Sequence, residues 1–283
     1  MKTGLVLEGG AMRGLYTAGV LDVLMEQGIE VDGVIGVSAG AVFGCNYKSR
    51  QIGRVIRYNT AYCRDSRYGD VRSLIRSGDI YEEEFCYREL PDKLDPFDWE
   101  TYRSNPVEFY VTCTDVETGR AVYHKCSGER EDQRWMQASA SMPFVSRVVT
   151  IGEKRLLDGG ISDSIPVNWF RSIGYDRNLV VLTRPEGYRK KPPKGLGLLK
   201  QMIRQYPAVV LAMKTRHIRY NQTLDQLKEQ EKAGLALVLR PSKCIKVSKL
   251  ERHPEKLKAL YALGRQDAEQ HLEEIRRFLE KPE

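Results

Sequence analysis

Apolar and polar positions alternate between two periods along the first forty residues. Lys2 to Leu7 is a short apolar run that predicts a buried strand. Gly14 to Glu26 places Leu15, Val20, Leu21, Val23 and Leu24 at helical spacing, and Val31 to Gly36 is a second apolar run that feeds a helix starting near Ser38. Strand, glycine loop, helix, strand, tight turn and helix open a parallel α/β sheet. Glu108 to Thr114 predicts another strand, with Ala121 to His124 pairing nearby. Val148 to Ile151 and Arg155 to Leu157 flank Gly152-Glu153 as a hairpin, and Leu179 to Thr183 and Leu235 to Leu239 are further strands.

Other stretches break this rhythm. Arg64 to Trp99 is polar, aromatic and irregular, and reads as an insertion rather than as sheet. Arg184 to Gly197 is rich in proline and glycine, which predicts a mobile connection. Leu196 to Met213 is apolar but carries Lys200 and Arg204 and is interrupted by Pro207. It reads as a core-packed helix with a kink, the competing reading being an amphipathic cap on a membrane surface. Pro254 to Leu279 predicts one long charged helix, a terminal strut.

Composition narrows the class. The 283 residues are 41% hydrophobic and 29% charged, the balance of a folded globular chain. The opening residues lack the pattern of a secretory signal, no run approaches the roughly 18 apolar residues of a membrane span, and the six cysteines form no Cys-x-x-Cys pair. A cytoplasmic protein with reduced thiols is the expectation. The net charge of +7 is concentrated. Between Arg184 and Arg219, the bases Arg184, Arg189, Lys190, Lys191, Lys194, Lys200, Arg204, Lys214, Arg216 and Arg219 meet a single acid, Glu186. A solvated face is the plain reading, and peripheral contact with an anionic membrane surface is the functional one. Nucleic acid is not expected, since no recognition motif accompanies the charge.

The chemistry centres on Gly36-Val37-Ser38-Ala39-Gly40, a Gly-x-Ser-x-Gly at a strand-to-helix turn. That is the nucleophile elbow, in which Gly36 and Gly40 permit a sharp bend that exposes the serine hydroxyl. A serine needs a base. The four histidines (124, 217, 253, 271) lie in settings typical of surface residues, although a Ser-Asp-His order ending at His253 stays arithmetically open. The alternative base is Asp158, at the end of an apolar strand and followed by Gly159 and Gly160. An unperturbed carboxylate, with pKa about 3.9, is weak for this task, so desolvation and strong oxyanion stabilisation must help it. Gly9, Gly10, Ala11, Arg13 and Gly14 form a loop after the first strand whose backbone N–H groups suit an anion. It meets neither the Rossmann nor the P-loop pattern.

With these motifs in order, the chain resembles the patatin-like phospholipase family, specifically its bacterial members. The likeness rests on Gly-Gly-x-x-Arg-Gly, Gly-x-Ser-x-Gly and Asp-Gly-Gly, supported by Thr114 to Gly119 and Ala138 to Pro143. It covers roughly residues 4 to 185. The resemblance implies a three-layer α/β fold with a central, mostly parallel sheet. It implies a catalytic domain over 1–185; residues 186–283 carry no such likeness and are expected to form a basic, mainly helical C-terminal region packed on or appended to that domain. It further implies a serine acyl hydrolase of phospholipid or lysophospholipid esters, with Ser38 as nucleophile and Asp158 as base. Gly9, Gly10 and Ala11 would form the oxyanion hole, with Arg13 helping to hold that loop, and neither metal nor organic cofactor would be required. Glu8 and Ala11, and Asp163 and Ser164, depart from residues common in the family and bear on pocket shape. A lipid-binding protein without turnover, and an acyltransferase using the same acyl-enzyme, remain the alternatives.

Overall fold

The computed structural model describes residues 1–70, 73–75, 78–143, 145–193 and 205–280. β1 (Lys2–Leu7) lies in the middle of one sheet, because its alternate side chains feed two cores. Leu5 and Leu7 enter the larger apolar cluster, while Val6 points to the opposite face among Ile35, Phe170 and Val180. β2 (Gly33–Val37), β3 (Glu108–Asp115), β7 (Tyr175–Val181) and β8 (Ala236–Leu239) complete a parallel run in the order β3-β2-β1-β7-β8. β4 (Ala121–Lys125) and β6 (Lys154–Asp158) pair antiparallel with β3, and β5 (Val149–Ile151) closes a hairpin on β6. The hairpin turn uses Gly152 at φ 56°, a left-handed conformation that glycine adopts freely. The fold is therefore mixed α/β with a central, mostly parallel sheet.

Helices cover both faces. On the larger core lie α1 (Gly14–Glu26), α2 (Ala39–Lys48), α3 (Arg54–Tyr62), α4 (Trp99–Ser104) and α5 (Asp132–Ala140). The other face is covered by α6 (Val167–Ser172) and by α7 (Pro207–Lys232), which contributes Tyr220 and Leu227. The stretch 64–99 contains no strand among its described residues and includes a helical segment, Phe85–Leu94, that holds Pro91.

Two helix expectations are corrected. Pro207 does not kink a helix begun at Leu196; it is the first residue of α7, where its missing N–H costs no intrahelical bond. The amphipathic cap falls largely on 194–204, outside the described residues, as does the end of the connection from Arg184 to Gly197. Pro254 to Leu279 is two helices, α8 (Pro254–Gln270) and α9 (Leu272–Leu279), broken at His271. It is no free strut. α8 lies against α1 so closely that a Cβ on Gly264 would sit 2.0 Å from the Tyr16 carbonyl oxygen, and one on Gly19 2.1 Å from that of Tyr261. Tyr261 also donates a 2.6 Å hydrogen bond to Asp22, and Arg265 pairs with Glu26 at 2.7 Å.

Candidate active site

Strand register alone brings Ser38 and Asp158 together. β2 pairs with β3 up to Val37↔Thr112, and β6 takes up β3 from the next residue, Cys113↔Asp158. β4 occupies Tyr110 to Thr114 along the other edge of β3, so β6 must continue on the β2 side. Ser38, one step beyond Val37, thus comes level with Asp158.

The turn at Ser38 is tightly constrained. Its φ and ψ of 55° and −122° are outside the ordinary regions for a non-glycine residue, which is strain of the kind stored at functional sites. Space explains the flanking glycines: a Cβ on Gly36 would meet the Gly40 carbonyl oxygen at 2.5 Å, and one on Gly40 the Leu7 carbonyl oxygen at 2.4 Å. The Ser38 N–H donates to Ser139 Oγ at 2.8 Å, and the Ser139 hydroxyl donates to the Thr112 carbonyl at 2.6 Å. One buried hydroxyl therefore ties the elbow to β3.

Asp158 is 4% exposed. Its backbone N–H donates to Ser141, its carbonyl accepts from Thr114 Oγ1, and its carboxylate accepts the Gly160 N–H at 2.7 Å. Burial pushes the carboxyl above its ordinary value, opposed by the Arg216 guanidinium, the facing Ser38 hydroxyl, the Gly160 N–H and Lys249. A desolvated carboxylate facing a serine hydroxyl has the properties a proton acceptor needs.

The glycine loop passes over the serine. A Cβ on Gly9 would lie 2.9 Å from Ser38 Cβ. The N–H groups of Gly9, Gly10 and Ala11 donate to no acceptor among the described residues, so they are free for a ligand oxygen. Ala11 sits at φ 50°, and the Arg13 N–H closes the turn onto the Gly10 carbonyl. The Arg13 side chain makes no hydrogen bond within the loop; its Nε is buried without a partner. Glu8, just before the loop, is the anchor that sequence reasoning overlooked. Its carboxylate accepts from the Thr183 N–H (2.6 Å), Thr183 Oγ1 (3.0 Å) and Tyr220 Oη (2.7 Å).

Ser38 opens on an apolar cavity of about 250 Å³. Val42, Phe43, Tyr58, Leu90 and Met136 line it, with Lys249 and Leu250 arriving from the loop before α8. For scale, an apolar cavity of about 150 Å³ already holds a benzene. Much of the wall comes from 68–99, the stretch that broke the strand–helix rhythm of the sequence.

No histidine joins Ser38. His124 stacks on Trp135 and lies 3.6 Å from Asp132, His253 caps α8, His271 contacts the Asp267 carbonyl, and the Nδ1 of His217 is buried without a partner. The ligand atoms of His124, Cys126 and Asp132 lie within 4.8 Å of one another. Asp132, however, already accepts the N–H groups of Ser127 and Gly128, which is how an aspartate closes a turn. None of these three lines the Ser38 cavity.

A sequence profile of the patatin-like phospholipase family matches residues 5–170, which takes in the loop, the elbow and Asp158. The chain belongs to this family. A profile described as a domain of unknown function, DUF6363, matches 206–280. Among curated family relatives, the Escherichia coli protein YjjU is 29% identical over 203 residues, 65% of this chain and 52% of that one. Lysophospholipase nte1 of Aspergillus niger is 29% identical over 182 residues, 62% of this chain and 11% of that protein. The Caenorhabditis elegans patatin-like phospholipase domain-containing protein ZK370.4 is 27% identical over 176 residues, 60% of this chain and 13% of that one. The chain thus aligns with about half of the first relative and about a tenth of the other two.

Proposed function

We propose that the protein hydrolyses carboxylic esters of lipids, phospholipid or lysophospholipid, by a Ser-Asp dyad. The observation that carries this reading is the buried Asp158 carboxylate facing the hydroxyl of Ser38 at a strained elbow. Ser38 Oγ attacks the acyl carbonyl as Asp158 takes its proton, and the free N–H groups of Gly9, Gly10 and Ala11 accept the charge that develops on oxygen. The proton passes to the departing alcohol. Asp158 then draws a proton from water, which attacks the acyl-enzyme, and returns that proton to Ser38 Oγ as the fatty acid leaves. The apolar cavity takes the acyl chain. Membership in a phospholipase family and the name of the nte1 relative support the substrate class.

Hydrolysis of a panel of phospholipids, lysophospholipids and neutral esters tests this reading. Ser38→Ala and Asp158→Asn should each abolish turnover and retain the fold. Full activity in Asp158→Asn alongside loss in His253→Ala overturns the dyad. Contact with anionic membrane through the exposed bases of the 184–219 stretch, Lys214 among them, belongs to the same reading and predicts salt-sensitive sedimentation with anionic vesicles.

A further inference from the structure

Among its described residues the basic stretch is not one solvated face; Lys194, Lys200 and Arg204 lie outside them. Arg189 pairs with Asp225, and Arg219 braces the Ile161, Ser162 and Ala212 carbonyls, but Arg216 faces Asp158, and Arg184 and Lys190 lie near Arg13 and Glu8 of the glycine loop. The Arg216 Nη2 lies 2.9 Å from where a Cβ on Gly160 would be, and Asp158 Oδ1 lies 3.0 Å from that same point. Lys190 Nζ sits 4.3 Å above the ring of Tyr220, whose hydroxyl holds Glu8. Arg184 stacks over Tyr188, which meets Tyr220 edge-on. Lys249 borders the Ser38 cavity, and Arg13 rises from the glycine loop with its Nε unpartnered. Glu8 and Asp158 are the carboxylates that offset these cations, and both already serve other hydrogen bonds.

Like charges held this close repel. Burial, then Arg216, pushes Lys190 down to about 7, and burial with Arg216 and Arg13 lowers Lys249. Such a cluster is relieved by an anion, and Arg and Lys in a partly dry site favour phosphate. We infer that Arg13, Arg184, Lys190, Arg216 and Lys249 form a subsite for an anionic group carried by the substrate, beside the ester at Ser38, so that preferred substrates are lipid esters whose headgroup bears net negative charge. The inference rests on the reading of Ser38 as nucleophile. The recognising chemistry is that of a phosphate-type anion with no cation attached to it, which phosphatidylglycerol presents and zwitterionic phosphatidylcholine does not.

The test uses dihexanoyl phosphatidylglycerol and dihexanoyl phosphatidylcholine as monomers below their aggregation threshold, which removes attraction to a charged surface. The glycerol lipid should show kcat/KM higher by about tenfold or more, and Lys249→Gln combined with Arg184→Gln should erase most of that ratio. Equal kcat/KM for the two lipids, or a ratio that survives the double substitution, overturns the inference and leaves the hydrolase reading standing. Calorimetric binding of the same lipids to Ser38→Ala protein separates the two ideas. Anion-selective binding that the double substitution weakens, in a protein whose parent hydrolyses neither lipid, upholds the subsite and sinks the hydrolase. Inorganic phosphate that competes with the glycerol lipid assigns the site to phosphate from either source. Lipid preference without phosphate competition assigns it to the headgroup.

Discussion

Ser139→Ala isolates the one hydroxyl that joins the nucleophile turn to the sheet. Ser139 and Thr112 are fully buried, so the substitution strands two groups away from water: the Ser38 N–H and the Thr112 carbonyl. Each stranded group costs about 1–3 kcal/mol, for a combined loss of about 2–6 kcal/mol. Against a typical total of about 5–15 kcal/mol, that is a large fraction. For a chain of this size the melting temperature should fall by roughly 4–24 °C. The structural loss alone does not show a positioning role, and the kinetic split does. Measured well below the melting points of both proteins, kcat for a short-chain ester should drop about tenfold to a hundredfold with little change in KM, because Ser38 is displaced rather than removed. Ser139→Thr keeps the hydroxyl and should recover much of kcat despite its added methyl. A Ser139→Ala protein that melts within about 1 °C of the parent and keeps kcat within about twofold would refute the reasoning.

Four further outcomes are expected. The raised Asp158 carboxyl must be ionised to act, so activity should fall as pH drops through a value above the ordinary carboxylate of about 3.9. Because its folded pKa exceeds the unfolded one, the folded state holds the extra proton between them, and stability declines as pH rises through that window. Asp158→Asn should therefore melt higher than the parent at pH 7, an advantage that disappears below about pH 4; an equal or lower melting point at pH 7 contradicts this. Gly264→Ala forces a Cβ to 2.0 Å from the Tyr16 carbonyl, so α1 and α8 must separate; the cost of about 1–3 kcal/mol is read by chemical denaturation, and an unchanged midpoint argues against the tight contact. Leu250→Trp fills part of the 250 Å³ cavity and should lower turnover of long acyl chains relative to butyrate, an effect absent if acyl chains bind elsewhere.

The sequence was most legible where short-range patterning decides structure. β1 and α1 run over the residues that their periodicity indicates, because Leu5, Leu7, Leu15 and Leu24 have nowhere to go but the core. The order of the three glycine motifs carried the family, and at Gly9, Gly36, Gly40 and Gly159 it marks places where backbone crowds backbone. What stayed hidden depends on register and on distant packing. Nothing local to Ser139 says that its hydroxyl faces the Ser38 N–H across 101 positions, and nothing in Glu8 announces Thr183 and Tyr220 as partners. The basic stretch misled for the same reason: its spacing does not tell that Lys190 and Arg216 face inward while Arg189 pairs on the surface. Proline reads differently by position, and Pro207 starts a helix that a linear reading had it bend.

The contact between α1 and α8 bears on where this chain can be cut. A fragment ending near residue 185 would keep the serine, the loop and Asp158, and would still leave raw edges. β7 would lose β8 and present its unpaired N–H and C=O groups along one side of the sheet, a template for another chain to add to. α1 would show bare glycine and tyrosine where α8 had lain, and Glu8 would keep its charge without the hydroxyl of Tyr220. The last third of the chain thus shields, in each molecule, the strand edge and the helix face that a shorter chain would leave open to its neighbours.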